Sequence, residues 1–249
     1  MIKLLQGDCL ELLNQIPDNS VDMVLADLPY GTTACKWDSI IPLAPLWEQY
    51  KRVCKPGAAI VLTASQPFTT KLISSNMEMF KYCWVWEKSK ATGYFDVQYR
   101  PMKNHEDICV FGLGGVSNGS DPRMNYYPQG LTELPSPKKR TGKGIDATSR
   151  SGVVAKGDQV STGFPKSVLR FGSATKTVHP TQKPIDLMEY LLKTYTLKGQ
   201  LVLDNTMGSG TTGVACVRTG RGFIGIELDP QFYQVACDRI SKEQASETH

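Results

Sequence analysis

Short apolar runs alternate with stretches of helical spacing along most of the chain, and polar or Gly/Pro clusters separate them. Ile2–Leu5 predicts a short strand that Gly7-Asp8 ends, and Leu10–Leu13 predicts a helical turn or two. The run "VDMVLA" (21–26) predicts a buried strand, bounded by "PDNS" before it and "DLPYG" after it. Leu46–Lys55 has the apolar spacing of a helix that stops before Pro56-Gly57. "AAIVLTA" (58–64) predicts another buried strand, which Ser65-Gln66-Pro67 turns into a helix through Ile73. "YCWVWEK" (82–88) and "DICVF" (107–111) predict two further strands.

The pattern then changes. Gly112 to Val178 is rich in Gly, Ser, Pro and Lys and weak in apolar periodicity. That is too long for an idle loop in a compact domain, so the segment is either disordered or a functional insertion. Regular structure returns with a helix over Ile185–Tyr195, the strand "LVLD" (201–204) and the loop "NTMGSG" (205–210). The helix "TTGVACVRT" (211–219), the strand "GFIGIEL" (222–228) and a last helix after Asp229-Pro230 complete the chain. Strands alternating with helices predict an α/β fold, a mostly parallel sheet with helices on both faces. Three segments follow: 1–111, an insertion at 112–178, and 179–249.

Composition narrows this picture. A chain of 249 residues with 41% hydrophobic content suits one α/β domain with an insertion, or two small domains. No run of 18 apolar residues occurs, which argues against a membrane span, and Asp8 and Glu11 come too early for a signal peptide. A cytoplasmic protein is expected. The seven cysteines are odd in number, form no CxxC pair and sit mostly in apolar runs, so they read as buried reduced thiols, and no metal site is expected. The net charge is +4, but ten Lys and Arg against four acids put +6 between Gly112 and Val178, leaving −2 for the remainder.

The candidate chemistry lies at strand ends. "LVLDNTMGSGTTG" follows a strand and opens a helix, and Gly208, Gly210 and Gly213 satisfy GxGxxG. This reads as a dinucleotide fingerprint with Glu227 as the ribose acid, or simply as a strand-to-helix turn. Asp204 would crowd a pyrophosphate but suits a ligand bearing an ammonium and a sulfonium. Glu227 either accepts ribose hydroxyls or caps the following helix, and Asp8 either accepts from an adenine amino group or caps Leu10–Leu13. Three acids, each ending a predicted strand, point to one shared site. Only one strand–helix unit follows the glycine loop, so its neighbouring strands must come from the N-terminal part. The cofactor half therefore comes last and the "DLPY" half first.

Asp27-Leu28-Pro29-Tyr30, followed much later by Asp204–Thr212, resembles the amino-group DNA methyltransferases. The order of catalytic motif, basic insertion and cofactor motif resembles the β arrangement of that family. The resemblance covers nearly the whole chain and includes "GDCLELL" (7–13), "HEDICVF" (105–111), "HPTQKP" (179–184) and "GFIGIELDPQFY" (222–233). It implies a circularly permuted Rossmann-like methyltransferase fold, S-adenosylmethionine as cofactor, and double-stranded DNA as substrate. It allows a homodimer and a cognate restriction endonuclease as further partners.

The chemistry of the four residues agrees. An exocyclic amine is a poor nucleophile because its lone pair is delocalised into the base. Asp27 can accept one N–H and the Leu28 carbonyl the other, which localises that lone pair toward the methyl donor. Pro29 biases Leu28 toward an extended backbone, and the Tyr30 ring offers a face for a base that has left the duplex. The family usually has Pro where Leu28 stands, and often Pro-Phe after the acid where this chain has Asn205-Thr206 and Met207. Asp27, rather than Ser, resembles the adenine-N6 subgroup; cytosine-N4 is the alternative.

The resemblance places Gly208, Ser209, Gly210, Thr211 and Thr212 on the cofactor with Asp8, Asp204 and Glu227. It also places "HPTQKP" beside the methionine end, where Lys183 pairs with the carboxylate and Thr181 hydrogen-bonds it. The competing reading is a helix start, with Pro184 in the first turn and Lys183 solvated. The insertion corresponds to the target-recognition region, with Lys138, Lys139, Arg140, Arg150, Lys166 and Arg170 as phosphate contacts. Tyr126, Tyr127 and Phe164 either fill the gap a flipped base leaves or pack locally. A nicotinamide dehydrogenase leaves "DLPY" unexplained, and a cytosine-C5 enzyme needs a Pro-Cys nucleophile that is absent. Protein-glutamine enzymes usually start the motif with Asn and place the cofactor half first. A non-catalytic DNA-binding module has no need of Asp8, Asp204 and Glu227.

Overall fold

The computed structural model describes residues 1–31, 39–139, 158–173 and 182–247. The apolar runs become strands buried on both faces, as expected where helices cover a parallel sheet on each side. In β2 (Val21–Asp27), Val24 and Ala26 enter one core while Met23 and Leu25 enter the other. In β3 (Cys54–Ala64), Ile60 and Leu62 face the first core, and Ala59 and Val61 the second. The first core is closed by α1 (Cys9–Leu12), α2 (Leu43–Val53) and α3 (Phe68–Ser75), through Trp47, Tyr50, Phe68 and Leu72. The second is closed by α4 (Ile185–Tyr195), α5 (Thr211–Thr219) and α6 (Pro230–Glu247), through Leu187, Leu191, Val214 and Ile240.

Eight described strands form one sheet. Its order is β1 (Ile2–Gln6), β10 (Gly222–Glu227), β9 (Leu201–Asp204), β2, β3, β5 (Lys103–Gly112), β4 (Phe80–Thr92) and β8 (Val168–Phe171). Only β5 runs against its neighbours. The last strand pairs with the first, from Ile2 opposite Phe223 to Gln6 opposite Glu227, so the two ends of the chain meet within the sheet. This is the circularly permuted arrangement expected from the motif order. β2 and β9 are parallel neighbours, with Met23 opposite Val202 and Val24 opposite Leu203. From β9 the chain proceeds to β10, and from β2 to β3, on opposite sides of this pair. Such a reversal opens a crevice beyond the carboxyl ends of the strands.

The compact units are Met1–Tyr127 with Ser167–His249, and Pro128–Lys166. The expected insertion at 112–178 is therefore trimmed at both ends. Residues 112–127 belong to the sheet unit because their backbone is hydrogen-bonded to it. Asn125 N–H donates to the Gly57 carbonyl at 2.9 Å, and Met124 is buried. The segment's Gly-rich composition hides this, since the contacts are made by main chain rather than by an apolar stripe. β8 lies at the sheet edge with Leu169 buried, and the Trp86 indole N–H donates to the Phe171 carbonyl at 3.0 Å. The smaller unit contains an antiparallel pair, β6 (Thr132–Lys138) and β7 (Gln159–Thr162). Pro135 and Pro137 cannot donate to a ladder, which suits a strand outside the main sheet.

Two boundaries differ from the sequence pattern. α2 starts at Leu43, and β3 starts directly after it and runs through Pro56-Gly57. The register shifts there, from Val21 opposite Cys54 to Met23 opposite Ala59, and this irregularity accommodates a proline within a strand.

Candidate active site

Four strand ends converge on one cleft of about 640 Å³. β2 delivers Asp27, Leu28, Pro29 and Tyr30; β9 delivers Asp204 and the loop after it; β10 delivers Glu227; β1 leads into Asp8. The early corner and the late glycine bend touch directly, because the Thr206 hydroxyl donates to the Asp27 carbonyl at 3.1 Å.

Asp27 is held by three donors. Oδ1 accepts from the Tyr30 hydroxyl at 2.7 Å and from the Thr63 hydroxyl. Oδ2 accepts from Lys183 Nζ at 2.5 Å. Lys183 is buried, and its ammonium also lies 3.5 Å from Glu106 Oε2. Glu106 Oε1 is paired with Lys88, whereas its buried Oε2 has no hydrogen-bond partner among the described residues. Burial pulls the Lys183 ammonium down, but the charges of Asp27 and Glu106 and the hydrogen bond to Asp27 outweigh it and leave the group raised. Burial, then the charges of Asp27 and Glu106, push the Tyr30 phenol well up, so Tyr30 stays a donor.

One expected contact is placed differently. Lys183, expected on the cofactor carboxylate, stands against Asp27 and Glu106, since a buried ammonium needs nearby counter-charges. The Tyr30 ring, expected to offer a face to a base, has one face stacked on Phe68 of α3, with centroids 5.3 Å apart and planes at 23°. Lys183 Nζ lies 5.9 Å from the centroid of the same ring.

The acids of the other half are tied into the turns they terminate. Asp204 is buried and accepts from Thr206 N–H at 3.1 Å. Burial pushes its carboxyl up to about 7; Thr212 and the Thr206 N–H hold it down, and the charges of Asp27 and Glu227 raise it further. Glu227 Oε2 accepts from Gly208 N–H and Oε1 from Asp229 N–H, both at 2.9 Å. Burial raises Glu227 against those hydrogen bonds. Asp8 caps α1 through Leu10 N–H at 2.8 Å and Glu11 N–H at 3.4 Å. The capping reading of Asp8 is thus realised, whereas α6 is capped by Asp229, whose Oδ1 accepts from Gln231 and Phe232 N–H at 2.8 and 3.2 Å, and Glu227 ties the end of β10 to the glycine loop; Asp8 and Glu227 both line the cleft.

Gly210 has φ of 77° at the start of α5, a conformation that favours glycine. A Cβ on Gly213 would lie 2.4 Å from Ile240 Cδ1, so the third glycine of the GxGxxG serves the packing of α5 on α6. The hydroxyls of Ser209 and Thr211 face α6 rather than standing free, because Arg239 donates to them at 2.9 and 3.3 Å. Asn205 accepts from the buried Tyr50 hydroxyl at 2.5 Å.

Thr63, Phe68, Glu106, Asn205 and Arg239 are therefore site or support residues that sequence reasoning did not assign. Thr63 was detectable as the polar residue in the apolar "AAIVLTA", and Glu106 as an acid opening "HEDICVF". Nothing local marks Arg239 or Phe68. Thr181, Arg140 and Arg150 lie outside the described residues. Lys138, Lys139 and Lys166 are exposed on the smaller unit. Arg170 is exposed on β8 and paired with Glu87 at 2.8 Å.

A doubly wound sheet with its cleft at the topological switch point defines a nucleotide-binding α/β enzyme. Comparison narrows the class. The profile of the N6/N4 DNA methylase family matches residues 21–238, and the chain belongs to that family. The type II methyltransferase M.HpaI of Haemophilus parainfluenzae is 23% identical over 97% of this chain and 74% of its own length. M1.MboII of Moraxella bovis, also a type II methyltransferase, is 24% identical over 94% of each chain. The crystal structure of the M1.HpyAVI–SAM complex superposes with a TM-score of 0.63 at 23% identity, covering 96% of this chain and 100% of the other. The cytosine-N4-specific PvuII DNA methyltransferase gives 0.65 at 15% identity, covering 98% and 91%.

Proposed function

We propose that this DNA methylase transfers a methyl group from S-adenosylmethionine to the exocyclic N6 amine of adenine in double-stranded DNA. The observation that carries the reading is the state of Asp27. A carboxylate has about four lone-pair directions. Three are taken, two on Oδ1 and one on Oδ2, which leaves one on Oδ2 for an amine hydrogen. The acid is thus fixed in place and still has an acceptor site to offer, at the rim of a cleft of nucleoside size.

The cleft suits the cofactor. Asp204 is a buried acid with no cation against it among the described residues, which fits a ligand carrying positive charge. Glu227 and Asp8 offer carboxylates for ribose hydroxyls and an adenine amino group. When bound, S-adenosylmethionine would supply a methyl on a sulfonium: an N–C bond would form as the S–C bond breaks, neutral S-adenosylhomocysteine would leave, and the amine would give up one proton. Asp27 and the Leu28 carbonyl accept the two amine hydrogens and localise the lone pair. Holding the amine in line is then the main catalytic contribution. Lys183 and Glu106 hold Asp27, while Lys138, Lys139 and Lys166 supply phosphate contacts from the smaller unit.

Cytosine-N4 is the second reading, favoured by the likeness to the PvuII enzyme; Asp27 in place of Ser favours adenine. Nucleoside mass spectrometry of treated duplex DNA, with base-resolution mapping, separates N6-methyladenine from N4-methylcytosine. Asp27→Ala is expected to abolish transfer while keeping cofactor affinity near the parent's. Transfer by Asp27→Ala at the parental rate overturns the assignment.

A further inference from the structure

The antiparallel pair β4–β5 does not stop where the sheet stops. β3 ends at Ala64 opposite Asp107, and Thr63 lies opposite Asp27. β5 begins four residues earlier, at Lys103, and β4 continues to Thr92. Four residues of strand span about 14 Å, so the hairpin projects past the strand tips on the side where Asp27 sits. Its base belongs to the site: Glu106 lies against Lys183, and Lys103 donates to the Ser65 hydroxyl.

The tip is apolar and bare. Phe95 is 98% exposed, Tyr99 90% and Tyr94 72%, with Val97 and Met102 also exposed. This is a structured turn rather than loose chain. Tyr94–Asp96 form a 3-10 turn, and Tyr99 N–H and Arg100 N–H donate to the Asp96 carbonyl at 2.9 and 3.0 Å. Three aromatic rings on one short turn make an apolar surface that marks an interaction site. Of the four cations between residues 88 and 103, Lys88 is paired with Glu106 and Arg100 with Asp96, which leaves Lys90 and Lys103 without a carboxylate partner among the described residues. Exposed aromatic rings with unpaired lysines beside them, on the rim that carries Asp27, suit a polyanion with stacked bases better than a protein or lipid surface.

We propose that the β4–β5 hairpin is a DNA wedge, with Phe95 and Tyr99 entering the duplex beside the target and occupying the stack that the flipped base leaves. This rests on the DNA methyltransferase reading above and adds residues to it. Extruding a base loses stacking, and an inserted ring restores it. The hairpin stands on the same rim as Asp27, so the duplex face that presents a base to the carboxylate also meets the rings.

The test is the double variant Phe95→Ala/Tyr99→Ala, assayed on a duplex carrying the mapped target site. Both rings are exposed, so melting temperature and cofactor affinity should match the parent. On fully paired DNA, kcat/KM should fall roughly tenfold or more, the size of one lost stacking contact. On a duplex with an abasic site opposite the target, where extrusion is already eased, most of the loss should disappear. With 2-aminopurine at the target, the fluorescence rise on binding should be seen for the parent and reduced in the variant. Parental kcat/KM on paired DNA overturns the proposal, and so does an equal loss on both duplexes. A variant that differs from the parent only by dissociating a dimer overturns it too, making the turn a contact between copies. Failure of the parent itself to methylate DNA brings down the functional reading, and the wedge with it, a result distinct from a variant-specific one.

Discussion

Asp204→Asn should make the ligand-free protein more stable at alkaline pH and worse at binding its cofactor. The carboxyl is buried, and burial pushes it up to about 7 from an ordinary value of 3.8. Between about pH 4 and pH 7 the folded protein therefore holds a proton that the unfolded chain has released, so the Asp204 contribution to stability falls as pH rises through that window. Three pH units at 1.36 kcal/mol each amount to roughly 4 kcal/mol, an upper bound on what ionised Asp204 costs above pH 7. Asn keeps an oxygen acceptor for Thr206 N–H but never ionises. At pH 8 the variant should melt higher than the parent by up to on the order of 10 °C. At about pH 4, close to the ordinary carboxyl value, the unfolded chain regains the proton as well and the two should nearly coincide. Calorimetric titration with S-adenosylmethionine at pH 7.5 should show weaker binding by the variant. For the parent, affinity should decline below pH 7, because a cationic ligand favours the ionised carboxylate and its binding releases a proton. An equal melting difference at both pH values, or a less stable variant at pH 8, refutes the assignment of Asp204 as a buried acid kept for its ligand.

Other changes test the neighbouring groups. Lys183→Met leaves Asp27 and Glu106 without their shared cation and should destabilise by roughly 3–5 kcal/mol; adding Glu106→Gln should restore much of the melting temperature, and no recovery would dismiss the triad. Lys138→Ala/Lys139→Ala should flatten the salt dependence of DNA binding by about 1.8 in the log–log slope, about 0.9 for each lost phosphate contact; an unchanged slope removes both from the interface.

Elements and their faces were readable in the chain because two periodicities carry them. "VDMVLA" and "LVLD" are apolar apart from Asp22 and Asp204 since each is a strand covered on both sides, and Gly208, Gly210 and Pro230 punctuate where the backbone must turn or a helix must start. The acids at strand ends were legible for the same reason, as each interrupts an apolar run at its carboxyl terminus. Residues 112–127 were not legible as part of the sheet unit, because Asn125 and Tyr127 attach through main-chain hydrogen bonds that leave no side-chain pattern, and the buried Met124 stands outside any apolar stripe.

By its own sequence, the chain determined the strand–helix order, the permuted arrangement and the meeting of "DLPY" with the glycine bend, because a parallel sheet admits few ways to bury these runs. The tertiary structure alone decided what each polar group faces. Lys183 on Asp27 and Glu106, Phe68 under Tyr30, and Arg239 behind Ser209 join residues 156, 38 and 30 positions apart. Burial sets the charge of Asp204, and burial is a property of everything packed around a residue rather than of its neighbours in the chain.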